Sequence, residues 1–517
     1  MAQPASYLIK PILLLLLAGH LSSVMAQSEA KGSPPVVKTR QGRIQGVWEG
    51  QLQVFRGVPY AQPPVGKLRF KPPQPLKRHK ATLQTVQFGA KAVQTGGDTG
   101  VQGSEDCLYL NVWAPNAPAK RPRPVVVWVH GGAFTGGSGQ DNDAWTFAAQ
   151  DTLVAVTINY RLGSLGFLEL GSKLGPKYAQ AGNSGLLDAV AALRWVHQNI
   201  AAFGGDPSRV TIMGESAGAK MVGGLLVAPA ARGLFQQAIL ESGSVQAVRD
   251  TATAGAVARQ LLRELHQPDA HALLTLPADS LVRAQARFAS GAGGLQVFGP
   301  VLDGKTIKMP PLEYLRQARP AIRVLLGTNL EEARLFSGPG SSIHEPNEAA
   351  LQAVFGPGNS PFVWAAYQQV RRTQPELVAW NTVLTDYLYR LASYRLANQL
   401  AAQGIPTWLY RFDYADATTQ PMHAQELSFV WNAPVGSSST TTTTFAVPLR
   451  SKASSPALAA TMHAYWAHFI KTGQPGPTWP AYTPARKEVM IFKANSQVEP
   501  VLSPYEDPAF PMQGYRR

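Results

Sequence analysis

Short β-branched runs alternate with longer helical patterns along most of the chain, and this alternation constrains the fold more than any other feature. Between two of these runs, apolar residues recur at helical spacing through residues 186–200. Strands that alternate with helices predict an α/β fold, with a mostly parallel central sheet covered by helices on both faces. The runs expected to form strands are residues 125–129, 153–158, 210–213, 238–240, 323–326 and 408–412.

The chain is predicted to consist of a secretory signal at residues 1–26 and a single domain at residues 27–517. Lys10 precedes an apolar run at residues 12–18, and small residues lead to a cleavage site expected after Ala26. The run is too short for a stable anchor, and no later segment reaches the ~20 apolar residues of a membrane-spanning helix. We therefore expect a secreted or periplasmic protein without stable membrane insertion; a retained N-terminal anchor is the alternative.

No composition break within residues 27–517 demands a second domain. Residues 251–319, rich in Ala, Leu and Arg, are predicted to add helices to the sheet. Residues 94–103 and the Ser/Thr run at 437–444 are predicted to be surface loops.

The chain is strongly basic. Its 47 Lys and Arg against 32 Asp and Glu give a formal net charge of +15, and removal of Lys10 with the signal would leave 46 against 32, or +14. Such a charge fits nucleic acid, an anionic membrane surface, an anionic substrate or merely a shortage of acids. Nucleic acid is disfavoured because the chain has no recognition motif and begins with a secretory signal. The single cysteine excludes an intrachain disulfide framework and a thiolate zinc cluster.

Residues 214–218 read Gly-Glu-Ser-Ala-Gly, directly after a strand pattern and before a helix-compatible stretch. A sharp strand-to-helix turn needs small residues around its serine, so that the Ser216 hydroxyl projects and the Ala217 N–H points at a developing oxyanion. In this context the pattern predicts a nucleophile, whereas the five residues alone would also fit a plain turn.

Residues 129–134 read Val-His-Gly-Gly-Ala-Phe and follow the strand expected at 125–129. Backbone amides that approach a substrate carbonyl closely require such small residues. We expect the amides of Gly132 and Ala133 to join that of Ala217 in an oxyanion hole; a glycine-rich turn without chemistry is the alternative.

With these motifs the chain resembles the type-B carboxylesterases, the family of bacterial para-nitrobenzyl esterases, animal carboxylesterases and cholinesterases. The resemblance implies an α/β-hydrolase fold, a deep active-site gorge, and hydrolysis of small-molecule esters by water with no metal or organic cofactor. The further matching segments are residues 55–61 (Phe-Arg-Gly-Val-Pro-Tyr-Ala), 63–66 (Pro-Pro-Val-Gly), 105–111 (Glu-Asp-Cys-Leu-Tyr-Leu-Asn), 159–163 (Asn-Tyr-Arg-Leu-Gly) and 203–207 (Phe-Gly-Gly-Asp-Pro), and the late pattern Trp466, Phe469, Gly473, Trp479, Pro480 and Tyr482.

The resemblance also places a catalytic triad, in the chain order nucleophile, acid, histidine. Residues 327–333 are similar to the family's acid segment, whose second acidic position is Glu332; Glu331 is the neighbour with which it could be confused. Residues 423–431 are similar to the histidine segment and select His423 from ten histidines. His463 and His468 are interpreted as structural residues of a helix.

The resemblance extends to residues around the triad. It implies that Ser242 hydrogen-bonds the buried triad and that Arg69 pairs with Glu105. Cys107 matches a half-cystine of the family, but its partner is absent from the preceding loop. We therefore expect a free, buried thiol, with the loop at residues 94–103 unstapled and mobile at the rim of the gorge.

Substrate specificity is inferred from positions where this chain departs from the family's pattern and from its net charge. Ala133 stands where many members have glycine, which adds only a methyl group. Residues 293–296 (Gly-Gly-Leu-Gln) replace the bulky aromatics of cholinesterases and favour a roomier acyl side. The basic charge suggests a preference for anionic esters, such as polycarboxylate esters of the fumonisin type. A lipase and a catalytically silent adhesion or binding member of the same fold are the alternatives.

Overall fold

The computed structural model describes residues 33–98, 100–141, 144–289, 291–432 and 453–500. The predicted signal at residues 1–26 and the Ser/Thr run at 437–444 lie outside these described residues.

The described residues form sixteen strands. They are β1 (Val36–Lys38), β2 (Arg43–Gln45), β3 (Val47–Glu49), β4 (Leu52–Pro59), β5 (Leu83–Gln84), β6 (Gln94–Thr95), β7 (Val101–Gln102), β8 (Tyr109–Pro115), β9 (Arg123–Val129), β10 (Val154–Ile158), β11 (Gly205–Glu215), β12 (Gln237–Glu241), β13 (Arg323–Asn329), β14 (Thr407–Phe412), β15 (Glu488–Phe492) and β16 (Gln497–Pro500).

The helices fall mainly between strands of the central sheet. They are α1 (Trp145–Asp151), α2 (Gly163–Phe167), α3 (Gly171–Leu174), α4 (Ser184–Asn199), α5 (Ala217–Val227), α6 (Thr251–Glu264), α7 (Ala278–Ala286), α8 (Gly291–Gly294), α9 (Pro311–Ala318), α10 (Glu348–Phe355), α11 (Ser360–Val370), α12 (Glu376–Thr385), α13 (Leu391–Ala402), α14 (Leu427–Trp431) and α15 (Pro456–Thr472), with a π-helix at Asp386–Arg390 between α12 and α13.

Within the described part of the chain, eleven strands form one mixed sheet in the order β16-β15-β14-β13-β12-β11-β9-β10-β8-β4-β3. The strands from β10 through β9, β11, β12, β13 and β14 to β15 are parallel, whereas β8, β4, β3 and β16 add antiparallel edges. The six strands predicted from the sequence are β9 to β14, and the helical spacing at residues 186–200 falls on α4 and the turn after it. The predicted α/β fold is therefore confirmed.

Side chains of the central strands alternate between two apolar layers. On β9, Val125, Val127 and Val129 pack into the layer that contains α4 and α5. Val126 and Trp128 face the opposite layer, which contains α1, α14 and α15. A parallel sheet buried on both faces needs this run of apolar residues, and the run is what the sequence shows.

Helices α10, α11 and α12 build a third apolar cluster beside the ends of the parallel strands. The cluster includes Ala133 from the loop after β9 and Phe336 from the segment after β13. The helices predicted within residues 251–319 are α6 to α9. None of the helices in the described residues has the length and apolarity needed to cross a bilayer.

The segment at residues 94–103 differs from the irregular loop expected there. β6 and β7 pair antiparallel as a small hairpin. The Gln94 amide also clamps the segment to Gly137, since its Oε1 accepts from the Gly137 N–H at 2.9 Å and its Nε2 donates to the Gly137 carbonyl at 3.0 Å. Residues 94, 95, 101 and 102 therefore pair as strands, and the Gln94 side chain ties them to Gly137 without a disulfide.

Candidate active site

Ser216 occupies a sharp turn between β11 and α5. Its backbone has φ +55° and ψ −118°, a conformation that a non-glycine residue adopts only when its surroundings impose it. The Ser216 N–H donates to the Glu241 carbonyl of the neighbouring strand β12 at 2.9 Å. This bond ties the turn to the sheet and holds the serine at the carboxyl end of β11.

The two glycines of the turn allow backbones to approach too closely for any side chain. A Cβ at Gly218 would lie 2.0 Å from the Val129 carbonyl oxygen, and one at Gly214 would lie 2.6 Å from the Gly218 carbonyl carbon. Helix α5 thus starts directly against the end of β9, and the loop that follows β9 is brought beside Ser216.

A continuous hydrogen-bond chain links the three residues that the sequence selected for a triad. His423 Nε2 lies 2.8 Å from Ser216 Oγ, and His423 Nδ1 lies 2.6 Å from Glu332 Oε2. All three side chains are buried. Glu332 follows β13 and His423 precedes α14. These two segments, the turn at Ser216 and the loop after β9 therefore converge at one edge of the sheet.

The structure separates Glu332 from its neighbour Glu331. Glu332 is fully buried, and its Oε1 accepts the Asn329 N–H at 2.7 Å while its Oε2 faces the histidine. Glu331 turns to the surface, where it pairs with Arg334 at 2.6 Å. Of these two glutamates, only Glu332 contacts the imidazole. A further carboxyl oxygen, Glu215 Oε1, lies 3.2 Å from His423 Nε2.

The loop after β9 lies against the serine. A Cβ at Gly131 would meet Ser216 Cβ at 3.2 Å, and Gly132 and Ala133 both have positive φ, +105° and +53°. Among the described residues the amides of Gly132 and Ala133 have no backbone acceptor. The Ala217 N–H belongs to the first residue of α5 and has no partner within the helix. Gly131 thus lies against Ser216, and the three amides predicted to form the oxyanion hole are left without a backbone acceptor among the described residues, as that role requires.

His130 supports this loop and is uncharged. Its ring stacks on Tyr160 at 4.4 Å, and the Tyr160 hydroxyl donates to the His130 carbonyl at 2.8 Å. Burial lowers the pKa of His130 to about 4, although the Gly131 carbonyl acts in the opposite direction. The loop is therefore fixed by packing and neutral hydrogen bonds.

Two aromatic rings cover the His423 imidazole. Tyr389 lies 4.7 Å and Phe336 lies 5.1 Å from it, centroid to centroid. Tyr389 belongs to the π-helix, a rare distortion that recurs at functional sites. No sequence pattern singles out either ring, because each reaches the histidine only through the packing of the third apolar cluster.

Further buried carboxyl groups surround the triad. Burial, followed by the charge of Glu332, raises the pKa of Glu426 to about 8. Burial and then Glu426 raise the pKa of Glu215, and likewise that of Glu241, well above the ordinary value. Each of these carboxyl groups therefore binds a proton more readily than an exposed glutamate does. The position of Glu426 is visible in the sequence, three residues after His423.

The predicted neighbours of the triad are partly as expected. Ser242 is buried but donates to Glu426 at 3.2 Å, so its hydrogen bond goes to a carboxyl beside the triad, not to a triad residue as predicted. Ser242 follows β12 and Asn329 ends β13, and both side chains donate to the Glu426 carboxyl. The predicted ion pair of Arg69 with Glu105 is present, with Arg69 Nε donating to Glu105 Oε2 at 2.7 Å.

The remaining predicted residues have structural surroundings. His463 on α15 bonds the Val430 carbonyl and Asp151, and His468 bonds the Gln474 carbonyl. Cys107 is free and buried, as predicted, and burial strongly raises the pKa of its thiol.

The segment predicted to shape the acyl side begins with α8. Leu295 is buried in the same apolar cluster as Ala133. The Arg249 guanidinium donates to three successive backbone carbonyls, those of Gln296, Val297 and Phe298. This buried cation therefore fixes the segment beside the site. The described residues contain no group of three or more His, Cys, Asp or Glu side chains arranged to hold a metal ion.

Comparison with known proteins gives one consistent result. A profile described as the carboxylesterase family matches residues 33–507. Para-nitrobenzyl esterase of Bacillus subtilis (strain 168) is 35% identical over 485 residues, which cover 90% of this chain and 96% of the relative. Fumonisin B1 esterase of Sphingopyxis macrogoltabida is 34% identical over 493 residues, covering 91% and 88%. The crystal structure of a Geobacillus stearothermophilus carboxylesterase at pH 6.2 superposes with a TM-score of 0.79 at 38% identity, covering 91% and 98%.

Proposed function

The chain belongs to the carboxylesterase family and is a carboxylic ester hydrolase, and from this premise we propose that it works through an acyl-enzyme formed on Ser216. The observation that carries the proposal is the hydrogen-bond chain from Ser216 Oγ through the His423 imidazole to Glu332, with distances of 2.8 and 2.6 Å.

In the first half of the reaction, Ser216 Oγ attacks the ester carbonyl while His423 Nε2 takes its proton. Glu332 holds the Nδ1–H and stabilises the imidazolium that forms. The amides of Gly132, Ala133 and Ala217 donate to the oxyanion. The tetrahedral intermediate then collapses, and the alcohol leaves with the proton from His423.

In the second half, water replaces the alcohol. His423 takes a proton from water as the oxygen attacks the acyl carbonyl, and then returns that proton to Ser216 Oγ as the acid is released. No step requires a metal or an organic cofactor. The covering rings of Tyr389 and Phe336 keep bulk water from the imidazole, which strengthens the electrostatic interactions of the site.

Replacement of the nucleophile tests the proposal. Ser216→Ala should lower ester turnover by roughly 10⁴-fold or more while the protein stays folded. Ser172→Ala is the matched control, since Ser172 is exposed and bonds only Glu169 among the residues described. Equal turnover of the two variants would refute the role of Ser216. Absence of turnover in the wild-type protein as well would instead favour a silent binding member of the family.

We further propose that the preferred substrates are esters that carry a carboxylate. Support comes from the net charge of +15 and from a relative named for the hydrolysis of fumonisin B1. Burial raises the pKa of Glu215, Glu241 and Glu426 around the triad, which weakens their ability to repel an anionic ester. A panel of matched neutral and anionic esters at low and high salt tests this, because attraction by surface charge weakens as salt is added. Equal rates throughout would reject it.

The location of the protein is a separate proposal. The sequence at residues 1–26 favours export with cleavage after Ala26, to the periplasm or the medium. N-terminal sequencing of the protein from fractionated cells should begin at Gln27. A cytoplasmic protein that retains Met1 would contradict export.

A further inference from the structure

Helix α5, which starts directly after Ser216, carries a buried charge that the proposed chemistry does not use. Its sequence is apolar except for Lys220, and Lys220 is 3% exposed. Taking an ammonium group out of water costs several kcal/mol unless partners replace its hydration. A lysine at this position therefore needs an explanation.

The protein itself supplies few interactions that offset the cost of burying the Lys220 ammonium. Across the described residues, the Lys220 ammonium has no hydrogen bond and no ion pair; Nζ lies over the Tyr389 ring, 5.2 Å from its centroid. The face of the ring attracts the positive charge, but it does not replace the hydrogen bonds that the three N–H groups would make to water. Burial, offset by Glu215 and Glu332 and reinforced by Arg249, lowers the pKa of Lys220 to about 8, so the group is mostly charged at pH 7.

The side chain points toward the site. Lys220 lies four residues after Ser216, on the same side of α5, and its N–H donates to the Ser216 carbonyl at 2.9 Å. Helical side chains lean toward the N-terminus of their helix, which here is the serine end. Tyr389 touches both the Lys220 ammonium and the His423 ring, at 5.2 and 4.7 Å. The Lys220 ammonium and His423, the proposed general base, thus pack against the same tyrosine ring.

We propose that Lys220 binds a carboxylate group of the substrate, on the acyl or the alcohol side of the ester, and so determines specificity for anionic esters. This inference rests on the proposed function of Ser216. A bound carboxylate would accept the free N–H groups of Lys220 and compensate its burial. The alternative is that Lys220 is a fixed counter-charge to Glu215 and Glu332, which would act equally on all substrates.

Two pairs of esters distinguish these roles. 4-Nitrophenyl hydrogen glutarate and 4-nitrophenyl valerate differ in a carboxylate on the acyl side. 4-Acetoxybenzoate and its methyl ester differ in one on the alcohol side. In Lys220→Met, kcat/KM for the carboxylate ester of at least one pair should fall about 10- to 100-fold, mainly through KM, while the neutral esters change less than about twofold.

The matched control is Lys177→Met, which removes the same charge from an exposed position. It should leave the ratio of anionic to neutral turnover unchanged at moderate salt, because surface charges are screened. Lys220→Arg, which keeps the charge, should keep more of the preference than Lys220→Met.

The outcomes are separable from failure of the proposed function. If Lys220→Met lowers neutral and anionic turnover equally, or lowers neither, Lys220 does not bind substrate, although Ser216 remains the nucleophile. If the wild-type protein hydrolyses none of the four esters, the proposed function itself fails. If Lys220→Met does not fold, competitive inhibition of wild-type valerate hydrolysis by free glutarate or benzoate supports the site, and absence of inhibition by both overturns it.

Discussion

Glu332→Gln tests the proposed triad more sharply than any truncation, because glutamine keeps the shape of the side chain while it removes the charge and one of the two acceptor oxygens. The carboxylate accepts from His423 Nδ1 at 2.6 Å and is fully buried, and His423 is 4% exposed. During attack the imidazole becomes positive, with the centres of charge about 4 Å apart. At an effective dielectric constant of about 20, that attraction is about 4 kcal/mol. Its loss corresponds to about a 10³-fold fall in kcat/KM.

Glu331→Gln is the matched control, since it makes the same chemical change one residue away. Glu331 is partly exposed and pairs with Arg334, so we expect turnover within about twofold of wild type. Initial rates with 4-nitrophenyl butyrate and a thermal melt of each variant provide the measurement. A Glu332→Gln variant that is folded and as active as Glu331→Gln would refute the assignment of the acid.

Three further perturbations have defined outcomes. Gly218→Ala should lower the free energy of unfolding by at least about 3 kcal/mol, because its Cβ would meet the Val129 carbonyl at 2.0 Å, whereas Gly338→Ala, with open space, should melt like wild type. Cys107 should react with a thiol reagent only after denaturation, and stoichiometric reaction of the native protein would contradict its burial. Folding raises the pKa of Glu426 from 4.5 to about 8, so its stabilising contribution is complete below 4.5 and is lost as pH rises to about 8. The free energy of unfolding should fall by a few kcal/mol over this range, and by less in Glu426→Gln; identical pH profiles would contradict the raised pKa.

Local patterns in the sequence were enough to predict six strands of the central sheet, β9 to β14. The apolar, mostly β-branched run at residues 125–129 favours a buried strand by its own composition, and the glycines around Ser216 are required by the turn itself. Glu332 and His423 needed more, since 91 residues separate them. These two residues were identified from their order along the chain and from the resemblance to a family, because local propensity carries no information about contacts between distant residues.

Other parts of the site depend on packing that no local pattern encodes. Tyr389 reaches His423 from a π-helix, and Ser242 bonds Glu426 because the residues before α14 pack against the end of β12. The hairpin at residues 94–103 depends on Gln94 meeting Gly137, 43 residues away. Lys220 could have been noticed as the one charge in an apolar helix, but only the tertiary structure shows that it is buried beside the histidine.

The most direct test of Ser216 as the nucleophile is to identify the residue that becomes acylated. Wild-type protein mixed with excess 4-nitrophenyl ester should release nitrophenol in a burst equal to the enzyme concentration, if deacylation is the slower step. Protein treated with a fluorophosphonate ester, which traps an activated serine, should gain one adduct that peptide mass spectrometry locates at Ser216. A single adduct at Ser216, absent from Ser216→Ala, is the result we predict. An unmodified Ser216 in a protein that still hydrolyses esters, or an adduct on another serine, would contradict the proposed mechanism.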